Sequence, residues 1–434
     1  MSNAANKGKE IEDLVEKICT KMFFSDFTVR SQKFKNASKQ EKEVADILIP
    51  FDDIMLAVQV KTKTDNKPFS EKNETDIARI DSKIEDAIKQ FKTIKRAIAN
   101  SRIKELETTR GHRIPFDAAK YKKIIGIVIL DLIGEDDFPS DERIAIINGF
   151  ETRYDIPIHI FKRDYFEIIS SEIDTMPDFI HYIETRETLF SENLFAIPPL
   201  ELNLLAFYKV EPEDLKITIQ ENSVVIIDDG YWEWYQQDCK DLIERRDAYN
   251  RPSYLIDNVI NWLHSSVGFD PNKYGINLDP FGYFGNEAQG TVQAYLAVAT
   301  ELAKTSRLTR RKLGEKMFEC VERASKNGLA YSLIIDKENN SGIVILASEK
   351  DRTERSKILY SVSVAGYCLQ NLTKIVGFAT EPLGISMRSY DVIFLSGVDF
   401  ENRAEAVENA KKMFGTYSEA KFFEFLNLPD KEIK

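Results

Sequence analysis

Between Glu43 and Thr64 the chain reads EVADILIPFDDIMLAVQVKTKT, two alternating arms around Asp52-Asp53. Period-two alternation marks strands covered on one face, and two acidic turn formers at the centre close the arms into a hairpin. A two-residue turn there sets Phe51 against Ile54, Ile49 against Leu56, Ile47 against Val58 and Ala45 against Val60. That face is wholly apolar and is expected to lie on a core. On the opposite face Asp46 falls across from Gln59, with Lys61 two residues further along. A slip of one residue would put the apolar set in water, so one register accounts for both faces. Pro50 cannot donate a ladder hydrogen bond, which places its strand at an edge or removes one bond near the turn.

Asp46, followed by Gln59-Val60-Lys61 thirteen to fifteen residues later, resembles the signature of the PD-(D/E)XK nuclease superfamily. Upstream, Gly8-Lys9-Glu10-Ile11-Glu12 is similar to the G-x-x-x-E start of the first helix in the Mrr-like branch of that superfamily. Gln59 stands where the commonest pattern has a second acid, and Q-x-K is a variant of the Mrr-like branch. The resemblance covers roughly the first half of the chain. It implies a restriction-endonuclease-like mixed sheet flanked by helices and a metal-dependent endonuclease acting on nucleic acid, DNA ahead of RNA with the choice left open, in a restriction or anti-phage defence setting. Asp46 would be the main metal ligand, joined by the Gln59 side-chain oxygen, the Val60 carbonyl and Glu12. Lys61 would orient the attacking water or stabilise charge in the transition state. Mg²⁺ is the implied ion, or Mn²⁺, because hard oxygen ligands suit both.

The remainder of the chain limits the alternatives. With 434 residues it exceeds one core. Four scattered cysteines and four scattered histidines supply neither a zinc site nor a disulfide framework and point to a reducing, cytoplasmic compartment. No uninterrupted apolar run reaches the ~18 residues of a membrane span, and the first ten residues lack the apolar core of a secretory signal. A net charge of −12 argues against binding nucleic acid through bulk charge and leaves that work to local basic strips.

In chain order, residues 9–22 carry Ile11, Leu14, Val15, Ile18 and Met22 at helical spacing, with Glu12 at the rim of the stripe. Residues 27–34 alternate as a strand; 76–105 form a long amphipathic helix with Lys89, Lys92, Lys95, Arg96, Arg102 and Lys104 outward, while Gln90 and Lys83 could equally lie near the active site, which spacing does not decide. That charged face, with Lys63 beside the hairpin, is either a phosphate-facing strip or a solvated surface. Residues 124–132 read as a buried strand, 143–147 and 156–162 as further strands, and 164–206 as mostly helical. Beyond the prolines at 198 and 199, strands are expected at 215–220 and 223–228, then the aromatic cluster Tyr231–Tyr235, helices to 266 and a polar loop over 267–287. Arg307, Arg310, Arg311 and Lys312 make the densest basic patch, a candidate contact for a phosphate backbone or a nucleotide ligand, or simply a helix start. Strands over 330–336, 342–347, 374–379 and 390–395 with helices at 352–371 and 402–413 complete a small α/β domain.

The expected organisation is a disordered segment 1–7, a nuclease-like domain 8–195, a connecting segment 196–213 and a C-terminal α/β (α+β) domain 214–434 with a sensor, specificity or oligomerisation role. Beside the reading that the hairpin is a coincidence in an unrelated α/β protein, two functional readings stay open. One is an active nuclease, with a homodimer plausible for double-strand cutting. The other is a catalytically inactive nuclease-like scaffold that binds nucleic acid, for which the neutral Gln59 and the acidic total speak.

Overall fold

The computed structural model describes residues 3–25, 27–30, 33–35, 41–43, 45–62, 74–100, 103–111, 113–131, 149–266, 283–284, 291–337, 339–384, 389–398, 403–405 and 407–408. The strand expected over 143–147, most of the loop 267–287 and most of the helix 402–413 lie outside these residues. The chain forms two compact units, Met1–Arg245 and Arg246–Lys434.

The first unit begins with α1 (Asn3–Phe23), which starts inside the segment expected to be disordered. Strands β1 (Val29–Arg30), β2 (Lys33–Lys35), β3 (Glu41–Glu43), β4 (Ile47–Phe51) and β5 (Ile54–Thr62) follow, then α2 (Glu74–Ala99). After β6 (Glu105–Glu107) and β7 (Arg113–Pro115) come β8 (Lys123–Asp131), β9 (Phe150–Arg153) and β10 (Ile156–Lys162). Six of these strands form a mixed sheet in the order β1-β4-β5-β8-β10-β9; β2–β3 and β6–β7 are separate ribbons. β1, β4 and β5 are antiparallel neighbours, β5, β8 and β10 run parallel, and β9 returns antiparallel at the far edge.

The hairpin has the expected register: Phe51 pairs with Ile54, Ile49 with Leu56 and Ile47 with Val58. Asp52 supplies the left-handed turn residue, φ 50°. Pro50 lies beyond the two residues that β1 contributes, so its missing N–H interrupts no ladder. The pairing ends at Ile47. Ala45 does not continue opposite Val60 but turns into the cluster that α2 covers, with Leu48, Met55 and Ala57. Successive strand residues face opposite sides, so both faces of the hairpin are buried rather than one.

α2 buries Ile84, Ala87, Ile88, Phe91 and Ile94 on that side of the sheet. Phe91 sits where the sheet carries its smallest side chains, the paired Ala57 and Gly126. A Cβ on Gly126 would lie 2.9 Å from the Phe91 ring. Full burial of such a side chain is worth about 1.5–3 kcal/mol.

The segment expected to connect two domains instead belongs to the first unit. α3 (Arg163–Glu172) and α4 (Met176–Ser191) are followed by α5 (Glu201–Val210). Glu201 at the start of α5 is fully buried against Arg186 of α4, Nε to Oε2 2.9 Å, with the Tyr182 hydroxyl donating to the same carboxylate. The Arg186 guanidinium also donates to His159 Nδ1 at 3.1 Å and lies between the rings of Phe161 and Phe190. A guanidinium only donates, so His159 is neutral with its proton on Nε2. Burial, then the positive charges of Arg186 and Lys123, hold its pKa well below the ordinary range. Breaking a buried pair of this kind costs about 3–5 kcal/mol, which ties 201–210 to 149–191.

The strands expected over 215–220 and 223–228 are not formed as a pair. Residues 212–221 are α6 (Pro212–Glu221), opened by a proline and the acids Glu213 and Asp214 and closed by Asn222 in the left-handed region. Leu215 and Thr218 are its buried residues, a spacing of three that overrides the apparent alternation. Residues 223–228 pair in sheet fashion through the bridge Phe195–Val225, and Val225 and Ile227 are buried in a cluster with Leu194, Leu204 and Leu215. α7 (Tyr231–Asp238) carries the aromatic cluster, with Tyr235 buried and Tyr231 and Trp234 in ring contact at 5.0 Å. The division between units falls within α8 (Lys240–Asn250).

In the second unit α9 (Ser253–Ser266), β11 (Tyr283–Phe284), α10 (Thr291–Ala303) and α11 (Arg307–Asn327) precede β12 (Leu329–Asp336) and β13 (Ser341–Ser348). α12 (Arg352–Leu369), β14 (Lys374–Thr380) and β15 (Asp391–Ser396) follow, within a few residues of the expected bounds. The sheet order is β11-β15-β14-β13-β12, with β13 and β14 parallel and α12 packed over them. Arg355 is buried between Asp391, 2.5 Å away, and Glu381, 2.7 Å away. Burial pulls Glu381 upward, but the hydroxyl and amide of Ser389 and the Arg355 charge outweigh it and hold the carboxyl low. No helix of the described residues is long and apolar enough to cross a membrane.

Two measurements test this packing. A Cβ on Gly314 would stand 1.9 Å from the Pro252 carbonyl oxygen, so Gly314→Ala is expected to lower stability by about 3 kcal/mol, read as a reduced urea midpoint. His159 must stay neutral in the fold, and its folded pKa lies below the unfolded one. Its contribution is complete above pH ~6.5 and is lost as pH falls toward the folded pKa, at up to ~1.4 kcal/mol per unit. Urea unfolding at pH 7 and 5.5 should show this slope in the native chain and its absence in His159→Gln.

Candidate active site at the open end of the hairpin

Where β4 begins, one step before the last paired residue, the chain bends at Asp46. Its carboxylate accepts the Val60 N–H at 2.6 Å, taking the place of the ladder bond that Ala45 would have made. A strand residue's N–H and C=O leave from the same edge, so the Val60 carbonyl opens on the side of Asp46. Gln59 and Lys61 share the α2 side of β5. The Lys61 ammonium lies 3.3 Å from Gln59 Oε1 and 2.7 Å from Oε1 of Gln90 on α2. Gln59 is almost fully buried, Lys61 half-buried and Gln90 exposed. Lys83, also on α2, donates to the Thr62 carbonyl. The expected group Asp46, Gln59, Val60 and Lys61 is therefore brought together, and α2 adds Gln90 and Lys83.

Glu12 is not part of that group. α1 packs on the other side of β5: a Cβ on Gly8 would meet the Thr62 hydroxyl at 3.9 Å, and Thr62 points away from the Lys61 side. Glu12 lies 3.8 Å from Arg30 of β1, which also holds Asp13 and Glu16. Half-burial works against the Arg30 charge, but the Asp13 hydrogen bond and Glu16 outweigh it and raise its pKa. The rim position read from the helical stripe was sound; the side of the sheet could not be read from it.

β5, β8 and β10 end at one edge of the sheet. Thr62 is level with Asp131 and Lys61 with Leu130, which is level with Lys162. Asp131 is buried there, 3.4 Å from Arg163 at the start of α3. The carboxyl ends of parallel strands are where open α/β sheets bind ligands. Asp131 and Arg163 had no signal in the sequence beyond the end of an apolar run.

Among the described residues no group of three or more His, Cys, Asp or Glu side chains is arranged to hold a metal ion. The donors that suit Mg²⁺ in kind are the Asp46 carboxylate and the Val60 carbonyl, both hard oxygens. A carboxylate has about four lone-pair sites, so accepting the Val60 N–H does not preclude ligation. Gln59 does not fit as a ligand, because its oxygen faces the Lys61 ammonium at 3.3 Å and a second cation there would meet that charge. Glu12 does not fit either, being on the α1 side of the sheet and held toward Arg30.

The expected nucleic-acid contacts divide. Lys63 lies outside the described residues. Lys92 stands 4.3 Å over the Tyr154 ring and Lys95 donates to the Tyr154 carbonyl at 2.7 Å, both on the β9–β10 turn; Arg96 is exposed in the last turn of α2. The densest basic patch is a fastening and not a surface. Arg307 and the wholly buried Arg310 share the Asp257 carboxylate at 2.6 and 2.8 Å, and Arg311 lies over the Tyr249 ring. Their charges are spent inside the second unit, which corrects the phosphate-contact expectation for Arg307 and Arg310.

No family model matches the chain, and neither the curated proteins nor the solved structures contain a match to it.

The Asp46 bond can be tested without substrate. Asp46→Asn keeps an acceptor for the Val60 amide and should change stability little. Asp46→Ala leaves that amide without its acceptor and should cost about 1–3 kcal/mol in urea unfolding.

Proposed function

We propose that the first unit is a metal-dependent nuclease that hydrolyses phosphodiester bonds, in DNA rather than RNA, and that the second unit serves as its sensor, specificity or oligomerisation module. The carrying observation is the constellation at the open hairpin end, where Asp46 holds the Val60 amide and Lys61 is held beside it by Gln59 and Gln90. The order helix, strand, hairpin, helix, parallel strand adds support, being the order that the PD-(D/E)XK resemblance implies. Absent that resemblance, DNA would have no priority over RNA.

Mg²⁺ or Mn²⁺, when bound, supplies an activated water and countercharge for the phosphate. Asp46 and the Val60 carbonyl would hold it, with water filling the remaining positions. Lys61 contributes a positive charge placed by hydrogen bonds before substrate arrives, so little reorganisation is needed as charge develops on the phosphate oxygens. The buried face behind β5 keeps the strand from yielding when charge accumulates in front of it.

The second reading is a nuclease-like protein that binds nucleic acid without cutting it. A neutral amide at Gln59 and, among the described residues, a single side-chain carboxylate beside Gln59 and Lys61 favour it. Incubation of the full chain with plasmid, linear DNA and single-stranded RNA in Mg²⁺ or Mn²⁺ separates the two. An active nuclease is expected to cleave and to lose at least about 100-fold in rate in Asp46→Ala and Lys61→Ala. Binding without cleavage under every condition would establish the second reading.

A further inference from the structure

We propose that Lys61 is carried by an amide fork, with Gln59 of its own strand as one arm and Gln90 of α2 as the other, and that the fork reserves the ammonium charge for a phosphate oxygen. The proposal deepens the nuclease reading and rests on it for the identity of the anion.

An ammonium has three N–H donors on a flexible four-carbon stem. Two are directed at amide oxygens, Gln59 Oε1 at 3.3 Å and Gln90 Oε1 at 2.7 Å. Among the described residues Lys61 has no carboxylate within ion-pair distance. Three other lysines of this unit do sit on carboxylates: Lys89 lies 3.3 Å from Asp86, Lys95 3.3 Å from Asp155 and Lys123 3.1 Å from Glu187. Lys61 is therefore oriented without being neutralised. A carboxylate in either arm would hold it equally well and would cancel the charge that an incoming phosphate needs. Two neutral acceptors fix direction and leave the charge, and the third donor completes an anion contact.

This gives the departure from the commonest nuclease pattern a positive role. The amide at 59 is not a weakened metal ligand but part of the mount for the lysine. Gln90 becomes a positioning residue, acting through Lys61, and its place is set by Phe91, the next residue, which is seated against Gly126.

The test uses the full chain and two readouts. In the first, trace acetic anhydride labels amines and mass spectrometry compares Lys61 with the exposed Lys104. Gln90→Ala and Gln59→Ala are each expected to raise Lys61 labelling severalfold, and Gln90→Glu to restore protection; unchanged labelling in both alanine variants overturns the fork. In the second, plasmid cleavage is measured across Mg²⁺ concentrations. Gln90→Ala and Gln59→Ala should lower kcat by about tenfold at saturating Mg²⁺ and leave its half-saturation unmoved. A shifted half-saturation in Gln59→Ala would return Gln59 to the metal and overturn its role here. Gln90→Glu should protect the amine yet cleave poorly; native cleavage in that variant would overturn the reserved charge. A native chain that cuts nothing sinks the nuclease reading, while the labelling result still decides the fork.

Discussion

β5 is hydrogen-bonded on both edges and covered on both faces, and the rest of the first unit is arranged by that confinement. Its antiparallel partner β4 fixes the register through one turn; its parallel partner β8 follows it residue by residue from Ile54 to Thr62. A strand so enclosed cannot slide without exposing apolar side chains on one side or driving Gln59 and Lys61 into the core on the other. Lys61 is tolerated because it is half-buried next to the strand end, and the buried Gln59 because its side-chain oxygen accepts from the Lys61 ammonium. Asp46 completes the boundary. It replaces a backbone acceptor with a carboxylate and so ends the pairing of β4 where the candidate site begins.

Charge has two different uses in this chain. Arg186, Arg310 and Arg355 are wholly buried and matched to Glu201, Asp257 and to Asp391 with Glu381. Each joins a helix to another segment of its own unit, and each is costly to break from one side. Lys61 stands apart from them: amides, not acids, hold it. Local density of basic residues does not separate these uses. Arg307 and Arg310 look like part of a binding patch because their partner Asp257 lies about fifty residues earlier.

The hairpin register was legible because alternation admits a single solution once both faces are considered. The strands and helix of the second unit were legible for the same reason, with continuous apolar runs bounded by turn residues. Residues 215–220 misled because Leu215, Ile217 and Ile219 alternate, whereas Pro212, Glu213 and Asp214 carry the stronger signal of a helix start. Of the site, Asp46, Gln59 and Lys61 could be placed from spacing alone. Glu12 could be placed at the rim of its helix but not on a side of the sheet. Gln90 and Lys83 could be named as possible neighbours of the site but not decided, since nothing local distinguishes one flank of α2 from the other.

The seat of Phe91 over Ala57 and Gly126 acts as a gauge for the whole of α2. A helix is free to rotate or advance along its axis unless some contact indexes it, and an advance of a single turn displaces every side chain by about 5.4 Å. The aromatic ring in its notch supplies that index from within the core, and Gln90 inherits its setting as the adjoining residue. Interior volume and surface chemistry are thereby joined across one peptide bond. A methyl group added at Gly126, remote from solvent and bearing no polar atom, would misalign the lysine at the mouth of the hairpin.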